Sequence, residues 1–172
     1  MKLTLLFAYL LTVQIAVCQN QEKYSEYVQE AWQLYEADNY KQSAATYKEA
    51  FDQMQGKASP NDRYNAACSY ALSDQADSSF YHLFYLAENP RIQYKNLAHI
   101  TTDPDLNSLH SLDRWSALID IVKANKTEYE KNLDMPLVTQ LDSIYQLDQS
   151  YRKQLGEIEE KYGRESDEMK AH

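Results

Sequence analysis

Apolar side chains return every three or four residues along almost the whole chain, the rhythm of helices buried on one face. Between Glu22 and Ala37 the stripe is carried by Tyr24, Tyr27, Val28, Ala31, Trp32, Leu34 and Tyr35, until Asp38 and Asn39 interrupt it. A second stripe of Ala44, Tyr47, Ala50, Phe51 and Met54 predicts a helix from Tyr40 to Met54. The turn sequence GKASPND follows, in which Ser59 suits an N-cap and Pro60 the first helical position. A third helix is expected over about Asn61–Leu72. After a turn at Ser73–Gln75, a fourth is expected over about Asp77–Ala87, stopping before Pro90.

The third and fourth helices differ in bulk. The third opens on small residues, Asn65, Ala66, Ala67, Cys68 and Ser69, and the fourth carries Phe80, Tyr81, Phe84 and Tyr85. Small residues let helix backbones approach closely, and rings fill a wider gap. From Pro136 onward, Leu137, Leu141, Ile144, Leu147, Tyr151, Leu155, Ile158 and Tyr162 recur at spacings of three and four. They predict one long amphipathic helix, with Asp148, Arg152, Lys153, Glu157 and Glu160 on its other faces and Gly163 at its end. That stripe needs a partner: the preceding helices, a second copy, or another protein.

The first two helix pairs resemble one another. Aligned from Tyr27 and Tyr64, Ala31 falls one residue out of step with Ala67, while Ser43 matches Ser79, a spacing of about 36 residues. In the first pair Ala31, Tyr40, Ser43, Tyr47 and Ala50 occupy the small and aromatic positions of the tetratricopeptide repeat, and in the second Ala67, Tyr70, Ser79 and Leu83 do so. On these residues the chain resembles a tetratricopeptide-repeat protein, with "YNAACSYAL" similar to a variant of bacterial members. It departs from the pattern at Glu30, Asp38 and Leu86, where Leu, Gly and Ala are expected. The stretch "DPDLNSLHSLDRWSALI" looks like the terminal unit of such arrays, which covers an otherwise exposed apolar end. There Asp103 and Asp113 are expected to cap helices, Leu106, Leu109 and Leu112 to pack inward, and Trp115, Leu118, Ile119 and Val122 to form a buried stripe. The segment "LDSIYQLDQSYRKQL" is similar to the opening of an uncharacterised domain that follows such repeats in secreted bacterial proteins.

The expected fold is therefore all-α: tetratricopeptide-like helical hairpins, an α-solenoid fragment, then a capping unit and a long C-terminal amphipathic helix. The expected boundaries are a signal peptide at 1–18, a repeat domain at 22–124 and a helical extension at 126–172. Within the repeat domain, units fall at about 24–57 and 60–90 and the capping unit at 91–124.

The N-terminus reads as a targeting segment. Lys2 precedes an apolar run from Leu3 to about Val17, too short to span a bilayer and followed by polar chain. Ala16 and Cys18 suit cleavage before Gln19, which implies a secreted or periplasmic location; lipid anchoring at Cys18 is the alternative. Without the signal segment no stable membrane span is expected. Cys68 is then the only cysteine, so no internal disulfide can form. Asn125-Lys126-Thr127 is a glycosylation sequon.

Composition narrows the partners. With 17 Lys and Arg against 26 Asp and Glu, the net charge is −9, which opposes binding to nucleic acid or anionic membranes. Three Gly and four Pro are few for an all-β chain.

No catalytic constellation stands out. The histidines, His82, His99, His110 and His172, form no zinc signature, and no Gly-rich phosphate loop is present. Cys68 reads as a small hydrophobe, and Asp103 and Asp105 as helix caps. No cofactor, no metal and no enzymatic activity are expected. What remains is a surface. The family resemblance implies a groove lined by the first helix of each pair, which here means Val28, Trp32, Tyr35, Glu36, Tyr64, Cys68 and Ala71. The expected function is that of an adaptor binding an unidentified peptide or protein segment. The alternatives are assembly through the C-terminal helix, as a homodimer or within a complex, and the remnant of a larger enzyme or sensor.

Overall fold

The computed structural model describes residues 2–171, with side chains from Gln19 onward except that of Glu168. The expected signal segment, residues 1–18, and its cleavage point fall outside the described side chains, as does His172. Among the described residues every regular element is helical, and none is long and apolar enough to cross a membrane. Among the described residues the chain is all-α, and in the part up to Thr127 successive helices pack on one another.

The elements are α1 (Lys2–Glu36), α2 (Tyr40–Gln53), α3 (Pro60–Leu72), α4 (Ala76–Glu88), α5 (Leu97–Thr102), a 3-10 turn (Pro104–Leu109), α6 (Asp113–Glu130), α7 (Met135–Tyr162) and α8 (Asp167–Lys170). The chain divides into two compact units, with the boundary between Thr127 and Glu128. Relative to the expected helix starting at Glu22, α1 is a single helix of 35 residues.

The internal repeat is in step. Ser43 Oγ donates to the Ala31 carbonyl at 2.8 Å, and Ser79 Oγ donates to the Ala67 carbonyl at 2.7 Å. Ala31 and Ala67 lie 36 residues apart, as do Ser43 and Ser79, so the one-residue slip suggested by the tyrosines is absent. Tyr64 is the counterpart of Val28, not of Tyr27. The turns between paired helices repeat too. Asp38 and Asp74, also 36 apart, both take the left-handed conformation, with φ of 58° and 60°. Each is followed by a backbone N–H that reaches back to close the helix, Asn39 to Leu34 at 2.8 Å and Gln75 to Tyr70 at 2.9 Å. Short acidic side chains tolerate this conformation where the family pattern has glycine.

The small residues of α3 have a direct cause: α3 is packed on two sides. Ala66 and Tyr70 join Ala31, Ala44, Tyr47, Ala50 and Phe51 in one apolar cluster. Ala67, Cys68 and Ala71 join Phe80, Leu83 and Leu86 of α4 in a second, with Leu106, Leu109, Leu118 and Val122. Leucine at position 67 would overfill the cluster in which Ala67 is fully buried against α4. We expect Ala67→Leu to destabilise the repeat unit by ~1–3 kcal/mol, read from the urea midpoint, while Ala45→Leu on the exposed face of α2 stays within about 0.5 kcal/mol.

Local signals behave as the sequence suggests. Ser59 accepts the Asp62 N–H at 3.1 Å with Pro60 at the first position of α3, and Tyr24 of α1 donates to the Asp62 carboxylate. Asp103 accepts the Asp105 N–H at 3.1 Å and opens the 3-10 turn, and Asp134 caps α7 by accepting the Leu137 N–H at 3.2 Å. Two details of the capping unit differ. Leu112 is 41% exposed, because the turn ends at Leu109 and turns it outward, and Asp113 lies inside the first turn of α6 rather than before it. The sequon asparagine is engaged: Asn125 Nδ2 donates to the carbonyls of Ala87 at 2.7 Å and Tyr94 at 3.1 Å, tying α6 to the end of α4. Its amide is a latch in the fold, which removes it as a free acceptor for sugar.

Candidate partner-binding groove

The first helix of each pair sets the groove. Trp32 and Tyr35 stand on α1, and Tyr64, Asn65 and Cys68 on α3. The capping unit supplies the third wall: His99 in the first turn of α5 and Asp103, Pro104 and Asp105 at the 3-10 turn. Together they line a cavity of about 260 Å³. Trp32 and Asn65 also border a wider hollow lined by Tyr24, Ser25, Val28, Gln29, Tyr47 and Asp62, so the concave surface runs on along α1.

Aromatic rings form its walls. The Trp32 and Tyr35 rings are stacked, 5.2 Å apart at 19°. Tyr64 lies stacked on Tyr94 at 5.6 Å and tilted on His99 at 4.8 Å, and Tyr94 Oη bonds His99 Nδ1 at 2.8 Å. Trp32 remains 42% exposed, an indole face open to solvent.

Two carboxylates form the floor. Tyr35 Oη donates to Asp105 Oδ2 at 2.5 Å, and Tyr64 Oη donates to Asp103 Oδ2 at 2.9 Å. The Cys68 thiol lies 3.9 Å from the same Asp103 oxygen. Both acids are half-buried. Burial first, and then the neighbouring acids, push Tyr35 and Cys68 well above their ordinary range. Burial, then Cys68 and Asp103, do the same for Tyr64. The phenols therefore stay protonated as donors, and the thiol stays a thiol, which makes it a poor nucleophile.

Cys68, Asp103 and Asp105 offer donor atoms within 4.8 Å of one another, a grouping that sequence spacing gave no way to see. The donor set suits a metal poorly. A zinc-type ion would need the thiolate that burial disfavours, and the carboxylates already hold two phenolic protons. The arrangement is better matched to a cationic group that adds to hydrogen bonds already made.

Of the seven groove residues implied by the family resemblance, Trp32, Tyr35, Tyr64 and Cys68 converge on this cavity, and Val28 lines the adjoining hollow. Glu36 is exposed beyond it, and Ala71 is buried, its carbonyl accepting a hydrogen bond from Ser108 at 3.3 Å. His99, Asp103 and Asp105 complete the site from the capping unit. The DPD motif signals only a cap locally, and it is the packing of the 3-10 turn on α3 that brings its acids under Tyr35 and Tyr64.

A second cavity of about 500 Å³ is lined by Phe51, Arg63, Tyr70, Tyr81 and His82, with Lys48 and Asp77 also on its walls. Arg63, 2% exposed, has its guanidinium held in place. Arg63 donates to the Gly56 carbonyl at 2.7 Å and to His82 Nδ1 at 3.1 Å, and covers the Tyr85 ring at 3.8 Å. Lys48 is paired with Asp52, and Asp77 with Arg114. Buried Arg63 Nε has no hydrogen-bond partner among the described residues, while the other charged groups are spent on the fold. Comparison of the chain with protein-family models, curated protein sequences and solved structures gives no match to any of them.

Proposed function

We propose that this chain is a tetratricopeptide-like adaptor of the secreted or periplasmic compartment. It captures a protein or peptide segment in the groove between α1, α3 and the capping unit, with no covalent step. One observation carries the reading: an open aromatic wall, Trp32 and Tyr35, above two half-buried carboxylates that accept the Tyr35 and Tyr64 hydroxyls. That combination favours a segment presenting a lysine or arginine beside an apolar residue. The cation sits over the rings and bonds the carboxylates, while the apolar neighbour follows Trp32 toward the hollow at Val28. The net charge of −9 steers such a segment to the surface.

Panning a displayed random-peptide library on the full chain tests this. Enriched peptides are expected to share a basic residue. Trp32→Ala should weaken them about thirtyfold, the effect of losing an aromatic anchor worth about 2 kcal/mol. Trp32 is substantially exposed, so the variant is expected to keep its circular dichroism and its urea midpoint. Asp103→Asn and Asp105→Asn keep an acceptor but remove charge, so they should relax the preference for Lys and Arg and flatten the salt dependence. Binding unchanged in an equally folded Trp32→Ala protein sinks the groove reading.

A further inference from the structure

The helix α7 carries an apolar seam that its own unit leaves open. Its 28 residues include none that is buried. Leu137, Leu141, Ile144, Tyr151 and Tyr162 are each about half exposed, at 50%, 55%, 56%, 56% and 48%, and Leu155 and Ile158 are half-buried. The short α8 packs against α7 but makes a single turn, against a seam of roughly 39 Å.

From Leu137 to Tyr162 the seam advances in alternating steps of four and three residues without a break, which is the a and d pattern of a two-stranded coiled coil. This strict register corrects the expected stripe at one place: Asp148, not Leu147, falls on the seam as its one charge, and Leu147 stands exposed on the flank. The position of Asp148 decides the partner's direction. In a parallel pair Asp148 faces its own copy, two carboxylates in an apolar seam. In an antiparallel pair it faces Tyr151 of the second copy, whose phenol donates to it.

The same register then closes the whole seam: Leu137 meets Tyr162, Leu141 meets Ile158, and Ile144 meets Leu155, each pair occurring twice about the two-fold axis. Flanking charges agree. Arg152, bonded to Asp148 at 2.6 Å within its own helix, comes to lie beside the Tyr145 ring of the second copy. We propose that α7 pairs with α7 of a second copy of this chain as an antiparallel coiled coil in this register. The seam is self-complementary in this one direction, and that marks a second copy as its occupant. This inference is independent of the groove, since it uses no residue of α1 or α3.

The test uses the full chain with Cys18→Ser as background, to leave no reactive thiol near the N-terminus. Sedimentation is expected to give twice the chain mass of 20.1 kDa. Ile144→Glu with Leu155→Glu is expected to give the monomer mass while the repeat unit keeps its urea midpoint. For direction, Leu141→Cys and Ile158→Cys proteins are oxidised separately and mixed. A disulfide-linked dimer that forms chiefly in the mixture supports the antiparallel register. Crosslinking of Leu141→Cys with itself overturns it in favour of a parallel pair. A parent protein that sediments as a monomer overturns the pairing, whether another segment or another protein covers the seam. So does a dimer that survives the two glutamates.

Discussion

Truncating Phe80 to alanine is expected to lower the unfolding free energy of the repeat unit by about 3–5 kcal/mol. Phe80 is 1% exposed and sits in the cluster shared by α3, α4 and the capping unit. One face of its ring carries the Arg114 guanidinium at 4.7 Å, and Arg114 is anchored in turn on Asp77 at 2.8 Å. Phe84 stands 6.1 Å away, tilted and partly buried. The loss is then a transfer term plus a residual cavity, a large share of the ~5–15 kcal/mol that holds a domain folded. Tyr81, the next residue on the same helix, is 61% exposed. Tyr81→Ala should change stability by less than about 1 kcal/mol. Urea unfolding of both variants checks the face of α4 assigned here to the core. Equal midpoints would mean that α4 is rotated from the packing described.

How far the sequence carried the fold can be argued from α3. Its ends were visible because Ser59, Pro60 and the Ser73–Gln75 turn are chemical signals that act locally. Its small residues were visible as a sign of close approach. That α3 is buried on two opposite sides was not, because the two clusters on Ala66 and Ala67 belong to adjacent positions and depend on which neighbours arrive. The same limit governs the groove. Trp32 and Tyr64 were found through the family resemblance. Asp103 caps the 3-10 turn as its sequence position suggests, whereas Asp105 lies within the first turn and caps nothing; the place of both acids beneath Tyr64 and Tyr35 depends on contacts across 39 and 70 residues of chain. The tyrosine match that suggested a slipped repeat failed for a related reason. An aromatic ring can shift by one position along a helix face, whereas the serine-to-carbonyl bond at each helix crossing cannot.

Acid is expected to destabilise the repeat unit through His82. Arg63 can only donate, so its contact with His82 Nδ1 at 3.1 Å makes that nitrogen an acceptor and leaves the proton on Nε2. The ring is 7% exposed and stacked on Tyr70 at 5.4 Å, with Phe51 and Tyr81 edge-on. Burial, and then the Arg63 charge, lower the pKa of His82 from 6.5 to about 4. In the unfolded chain the imidazole takes its proton near pH 6.5; in the folded unit it does so only near pH 4. Between these values the unfolded state binds more protons, so acidification favours it. The contribution is fully present above pH 6.5 and is lost as pH falls through about 4, a total of about 3 kcal/mol at 1.36 kcal/mol per unit. His82→Asn keeps an oxygen for Arg63 and removes the titration. Its stability should start lower at pH 7, through lost ring packing, but fall less steeply toward pH 4.5 than that of the parent. Carboxylates elsewhere titrate equally in both proteins and cancel in the difference of slopes. Parallel slopes would mean that His82 charges freely in the folded chain, and that the Arg63–His82 contact does not hold α4 to the turn at Gly56.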